Sequence, residues 1–309
     1  KVRDCRGTVS KAHRIVKGLS MDARSSRSSI LFLVAIAYCL VWTCGVSAGA
    51  AKQPKSVEER VKALDPFYKQ HVVVDGLLIA GSEKISRRAL DEVAYLARNM
   101  LANRPDVLKQ FTRQISVMAC TEMQTALPDC SRLEPWWNYR ARGLAGQTIS
   151  CGEENVLSLK GDPWKGENIF IHEFAHGLNG FFNSKDKEFQ TRLNALHAKA
   201  KKSGLFEGYG ISGASEFWAE GVQAWFNCNG TIRPESGGGQ SSFELLNADG
   251  NHVAHITTRK LVKTHLPGLG ELIDESFKQN QWVYTPVSKR LKEPHLKGFN
   301  PSKAPTFVW

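Results

Sequence analysis

The sequence predicts an α+β protein, with a mixed sheet in the first part of the globular region and mainly helices in the second. Two observations carry this. Strand-like apolar runs at 71–80 and 114–119 flank a stretch, 86–101, whose apolar positions recur with helical period. From 167 onward, apolar residues return mostly at three- and four-residue spacings. In order, 55–69 reads as a short entry helix, and 71–80 as a hairpin turning at Asp75-Gly76. Helix 86–101 (apolar at 90, 93, 94, 96 and 97) leads to strand 114–119. Residues 121–148, with Pro128, Pro135, Trp136 and Trp137, form a long irregular insert, and 154–159 is expected as a strand. Helices follow at 167–178, 187–201 and 215–226, with a glycine-rich loop at 204–213 and a flexible segment at 234–241. Stretches 257–265 and 269–277 close the fold as helices.

One pentapeptide carries chemistry. His172-Glu173-Phe174-Ala175-His176 is an H-E-x-x-H sequence inside an apolar run with 170, 171, 174, 175 and 178 on the buried side. On a helix, histidines four apart share a face and can grip one zinc ion, with the intervening glutamate beside the metal's water as general base. Asp162 is the expected N-cap and Pro163 the expected first helical residue. A third ligand is required. The metzincin extension would need glycine at 179 and histidine at 182, but the chain has Asn179 and Phe182. Glu216 and Glu220 lie one turn apart on a later helical stretch, where two like charges are unfavourable unless a cation sits near them. Glu207 and Asp186 are weaker candidates, being in polar, loop-like sequence.

H-E-F-A-H followed by Tyr209, six residues, and Glu216-Phe217-Trp218-Ala219-Glu220 resembles the gluzincin metallopeptidases, in particular the anthrax-lethal-factor-like catalytic domains. The motifs cover 172–220, and the order of elements matches more loosely from about 70 onward. The resemblance implies a zincin-like fold with an N-lobe at about 51–182 and a C-lobe at about 183–309. It also implies one Zn²⁺ per chain held by His172, His176 and Glu216, with Glu173 as base. The Tyr209 hydroxyl would stabilise an oxyanion, and Glu220 would orient a zinc-bound histidine. The implied activity is hydrolysis of peptide bonds in a peptide or protein substrate, with endopeptidase action favoured. The toxin's substrate-docking domains have no counterpart here, so its substrate preference does not carry over. The competing reading is a catalytically silent zincin-like protein that binds or supports without turnover.

Targeting and charge complete the reading. Met21 is the expected start, with 1–20 untranslated or added sequence. Arg24 and Arg27, an uncharged apolar run at 30–46 and Ala48-Gly49-Ala50 read as a signal peptide over 21–50, cleaved before Ala51. The expected location is extracellular, without stable membrane association after cleavage; an uncleaved signal anchor is the alternative. The chain holds 41 Lys and Arg against 30 Asp and Glu; the first 50 residues hold eight and two, leaving 33 against 28, or +5. No basic stripe with interleaved aromatics accompanies that charge, which argues against nucleic-acid binding. Four cysteines follow the leader, and two disulfides are expected, Cys120–Cys130 and Cys151–Cys228. Asn229-Gly230-Thr231 is a glycosylation sequon at an expected helix exit. Nothing in the sequence specifies an oligomeric state.

Overall fold

The computed structural model describes residues 56–230 and 243–309. The leader at 1–50, the segment 234–241 and Thr231 of the sequon lie outside the described residues. The fold is α+β, with a five-stranded mixed sheet in the order β1-β2-β3-β5-β4, a group of helices, and a three-stranded sheet, β6-β7-β8.

The hairpin forms as the sequence predicts. After the short helix α1 (Val57–Lys62), β1 (Gln70–Val74) and β2 (Leu77–Gly81) pair antiparallel. Asp75 and Gly76 take φ of 49° and 96°, the doubly left-handed turn that matches strand twist. Helix α2 (Arg87–Met100), capped by Ser86, lays Leu90, Val93, Leu96 and Ala97 on the sheet. The short helix α3 (Pro105–Gln110) then leads to β3 (Ile115–Met118), parallel to β2.

Strand alternation gives the sheet two faces. Ile79, Ile115 and Val117 join the main core, whereas Ala80 and Met118 face a smaller cluster with Tyr68, Leu127 and Cys130. That division accounts for the absence of the expected Cys120–Cys130 pair; the expected Cys151–Cys228 pair is absent too, although both of its cysteines lie in the main core. Cys120 and Cys151 belong to the main core and Cys130 to the smaller cluster, where its sulfur accepts from Gln124 Nε2 at 3.2 Å. Cys228 donates to the Gln223 carbonyl at 3.4 Å. All four are free, buried thiols, and burial pushes each of them up from its ordinary pKa.

The insert is more ordered than expected. It holds two 3-10 turns, Gln124–Ala126 and Pro128–Cys130, then α4 (Trp137–Arg140) and the edge strand β4 (Gly143–Ala145). Strand β4 pairs antiparallel with β5 (Ile149–Gly152), which is itself parallel to β3. The expected strand at 154–159 is instead entered by a helical turn, α5 (Glu153–Val156). Its two acids are consumed by distant partners. Glu153 accepts the backbone N–H groups of Ser86 and Cys120 at 3.1 and 3.2 Å. Glu154 takes the wholly buried Arg142 in a two-point pair at 2.6 and 2.9 Å.

Helix α6 (Ile169–Lys185) carries the H-E-x-x-H segment. Asn168, not Asp162, is its N-cap, with Asn168 Oδ1 accepting from Ile171 N at 3.0 Å. Asp162 instead accepts from Trp164 N and from Asn155 Nδ2 at 2.9 and 3.0 Å, and burial pushes its carboxyl up to about 7. Asn155 Oδ1 then accepts from Ile169 N at 2.7 Å, tying the helix entry to α5. Helix α7 (Phe189–Ser203) precedes β6 (Phe206–Glu207) and a 3-10 turn, Tyr209–Ile211. Helix α8 (Ala214–Trp225) packs on α6, and Trp218 Nε1 donates to Ala175 O at 2.8 Å across the contact. Strands β7 (Phe243–Leu246) and β8 (His252–Ile256) complete the small sheet, which the helical reading of this half missed. Helices α9 (Arg259–His265) and α10 (Pro267–Ser276) close the fold near their expected positions. No helix among the described residues is long and apolar enough to cross a membrane.

Candidate metal centre

Packing α6 against α8 brings three ligating atoms together. His172 Nε2 and His176 Nε2 are 3.1 Å apart, and each lies 3.3 Å from Glu216 Oε2. A tetrahedral ion with zinc–ligand bonds of 2.0–2.1 Å has ligand–ligand edges of about 3.3–3.4 Å. The triangle therefore has the size of one face of a zinc tetrahedron. His172, His176 and Glu216 are also the one converging group of metal-ligating side chains among the described residues. Glu216 Oε2 is buried without a hydrogen bond of good geometry, as a carboxylate oxygen reserved for a cation would be. The side chains keep 9%, 14% and 22% of their surface exposed for His172, His176 and Glu216, so the group opens outward on the His176–Glu216 side.

The electrostatics agree with a cation site. Burial opposes charge on His172 and Glu216. Against it, His176 and His172 hold the Glu216 carboxyl well below the usual carboxylate range. His172 is lifted to about 10 despite its burial, by its contact with Glu216 and by the charges of Glu220 and Glu173. Protons and a dication would thus compete for the same atoms, so binding of a metal here is expected to strengthen as pH rises.

The imidazoles are oriented from behind. Ser215 Oγ lies 2.8 Å from His176 Nδ1, and Gln223 Oε1 lies 2.9 Å from His172 Nδ1. Glu220, expected to orient a histidine, sits farther from the same nitrogen at 3.5 Å. Gln223 is itself fixed by donating from Nε2 to Asn168 O at 3.2 Å. Asn229 is buried, and its amide donates to Glu220 Oε2 at 2.7 Å. This corrects the sequon reading, because a side-chain nitrogen buried against a carboxylate is not an exposed glycan acceptor. Sequence reasoning missed Ser215 and Gln223. A signal was present for Gln223, since 216, 220 and 223 follow the i, i+4, i+7 spacing of a single helix face. Replacing Gln223 with leucine is expected to weaken zinc affinity about 10–100-fold, read by competition with a chelating dye.

Glu173 and Tyr209 complete the group. Burial pushes the Glu173 carboxyl up, partly offset by the adjoining histidines. Its flank is the edge strand β4: a Cβ added at Gly143 would lie 2.9 Å from Glu173 Cγ and 2.4 Å from Ile169 Cγ2, so only glycine lets this strand approach the helix so closely. The Tyr209 ring stacks near His172, with centroids 6.4 Å apart and planes at 24°. Burial, with the charge of Glu216, keeps the Tyr209 hydroxyl protonated well above its ordinary range. The turn that carries it is held by His197 Nε2 against Ile211 O at 3.0 Å. Of the weaker ligand candidates, Glu207 lies on β6 and Asp186 at the end of α6, and neither belongs to the converging group.

No family model matches the chain, and no curated protein matches it significantly.

Proposed function

We propose that this protein is a zinc-dependent peptidase of the gluzincin type, with a zincin-like fold and endopeptidase action. The observation that carries the reading is the triangle of 3.1, 3.3 and 3.3 Å edges among His172, His176 and Glu216, with Glu173 on the same helix. A bound zinc supplies Lewis acidity, bringing the pKa of water from near 16 to about 7 and polarising a carbonyl. Glu173 accepts the proton of the attacking water and returns it to the leaving amine, a role suited to a carboxyl raised by burial. Tyr209, kept protonated, donates to the oxygen on which negative charge develops. Gln223 and Ser215 hold the two imidazole rings with Nε2 forward. The outer edge of β4, beside Glu173, offers backbone groups for an extended peptide to pair along. Action outside the cell rests on the leader-like sequence at 21–50 alone, since the cysteines and Asn229 lend it no support.

The test is zinc content together with cleavage. The purified chain is expected to carry about one zinc and to cut unstructured protein, with loss on chelation and recovery on adding zinc. Zinc without cleavage would leave a silent binding protein, and the absence of both would end the proposal. Tyr209→Phe is expected to lower kcat about 10²–10³-fold while zinc is retained. An unchanged kcat would remove Tyr209 from the mechanism.

A further inference from the structure

The insert brings a second charge to the site. Arg140 ends α4, two residues before Arg142 and three before Gly143. Arg142 is wholly buried and pinned by Glu154, by the Glu122 carbonyl at 2.5 Å and by the ring of Phe307 at 4.6 Å. At the far end, Gly143 is held against Glu173. Three residues of chain span at most about 10 Å, so the backbone that bears Arg140 is fixed within side-chain reach of the reaction centre. Its positive charge indeed acts on both Glu173 and Tyr209.

Arg140 differs from the arginines that this fold uses as internal ties; Arg113 is also half-buried without a partner, but nothing places it beside Glu173. Arg104, Arg142, Arg259 and Arg290 each donate to carboxylates or carbonyls. Arg140 is half-buried, and it makes no side-chain hydrogen bond or ion pair among the described residues. A guanidinium held partly out of water with its donors unused is arranged for an anion that arrives from outside. The planar fork suits a carboxylate best, since two parallel N–H donors meet its two oxygens.

We propose that Arg140 is the subsite that receives a carboxylate of the bound peptide close to the scissile bond. The proposal rests on the peptidase reading above. The carboxylate has two sources, an Asp or Glu side chain within the substrate or a free C-terminus. The first gives an endopeptidase selective for acidic segments, the second an enzyme that trims peptide ends.

Decapeptide libraries with Glu, Gln or Lys fixed at one position in turn, each with a free or an amidated C-terminus, separate these cases when cut sites are read by mass spectrometry. At one position beside the cut, Glu is expected to be favoured over Gln, or the free C-terminus over the amide, by about tenfold or more in kcat/KM. Arg140→Gln is expected to bring that ratio to near one, and Arg140→Glu to turn it in favour of Lys. The ratio is the readout, so a general loss of active protein does not imitate the result. A wild-type ratio of one overturns the proposal, as does an unchanged ratio in Arg140→Gln. A second arm needs no turnover. The same peptides, fluorescently labelled, are bound to zinc-loaded Glu173→Gln protein and followed by anisotropy, with and without Arg140→Gln. A carboxylate preference in binding without any hydrolysis by the wild type would end the peptidase reading and keep the Arg140 site. Hydrolysis with no such preference would do the reverse.

Discussion

Glu173→Gln is expected to lower peptide hydrolysis by about 10²–10⁴-fold while the protein still binds zinc. The amide keeps the volume of the side chain but cannot take a proton from water. Glu173 is not one of the three converging ligand groups, so its loss leaves the metal triangle whole. Its environment should accept the amide, because burial already works against charge at this position. Zinc content by atomic absorption and cleavage of an unstructured protein, measured on the same preparation, check both halves. Full activity would remove Glu173 from the mechanism, and loss of zinc would mean that it also supports the metal.

Glu216→Ala is expected to abolish zinc binding itself. The two histidines would keep their positions on α6, but the triangle would lose the oxygen that lies 3.3 Å from each Nε2. It would also lose the negative charge that offsets a dication. Removing one partner from a buried charged group costs about 3–5 kcal/mol, since the remaining charges are left uncompensated. Metal content after dialysis is expected to fall from about one zinc per chain to near none. Circular dichroism should show the helices retained, because Trp218, Trp225 and Phe217 still anchor α8 in the core. Unchanged zinc content would reject Glu216 as a ligand.

The legible parts of the fold were those set by neighbours in the chain. Asp75-Gly76 marked its hairpin because left-handed φ values favour these residue types. Helices α2, α7 and α8 showed in the spacing of their apolar residues. The misread strand at 154–159 has an apolar pattern, Val156, Leu157 and Leu159, that serves a buried turn as well as a strand. What decided between them were partners outside the segment: Cys120 and Ser86, 33 and 67 residues away, on Glu153, and Arg142 of the insert, 12 residues away, on Glu154. The cap of α6 was misplaced for a similar reason. Asp162-Pro163 has the local signature, but the Asn155 and Cys228 contacts start the helix at Asn168.

The sequence by itself determined that His172, Glu173 and His176 share one turn-and-a-bit of helix, because four-residue spacing on an α-helix is local geometry. It also narrowed the third ligand to a few acids, with the resemblance selecting Glu216. Only the tertiary structure decided that Glu216 Oε2 meets both histidines, that Gln223 and Ser215 stand behind them, that Asn229 is buried against Glu220, and that the cysteines stay apart. Each of those facts depends on how α6, α8 and the two faces of the sheet dock. Docking sums many weak contacts between residues far apart in the chain, and no single stretch of sequence records it.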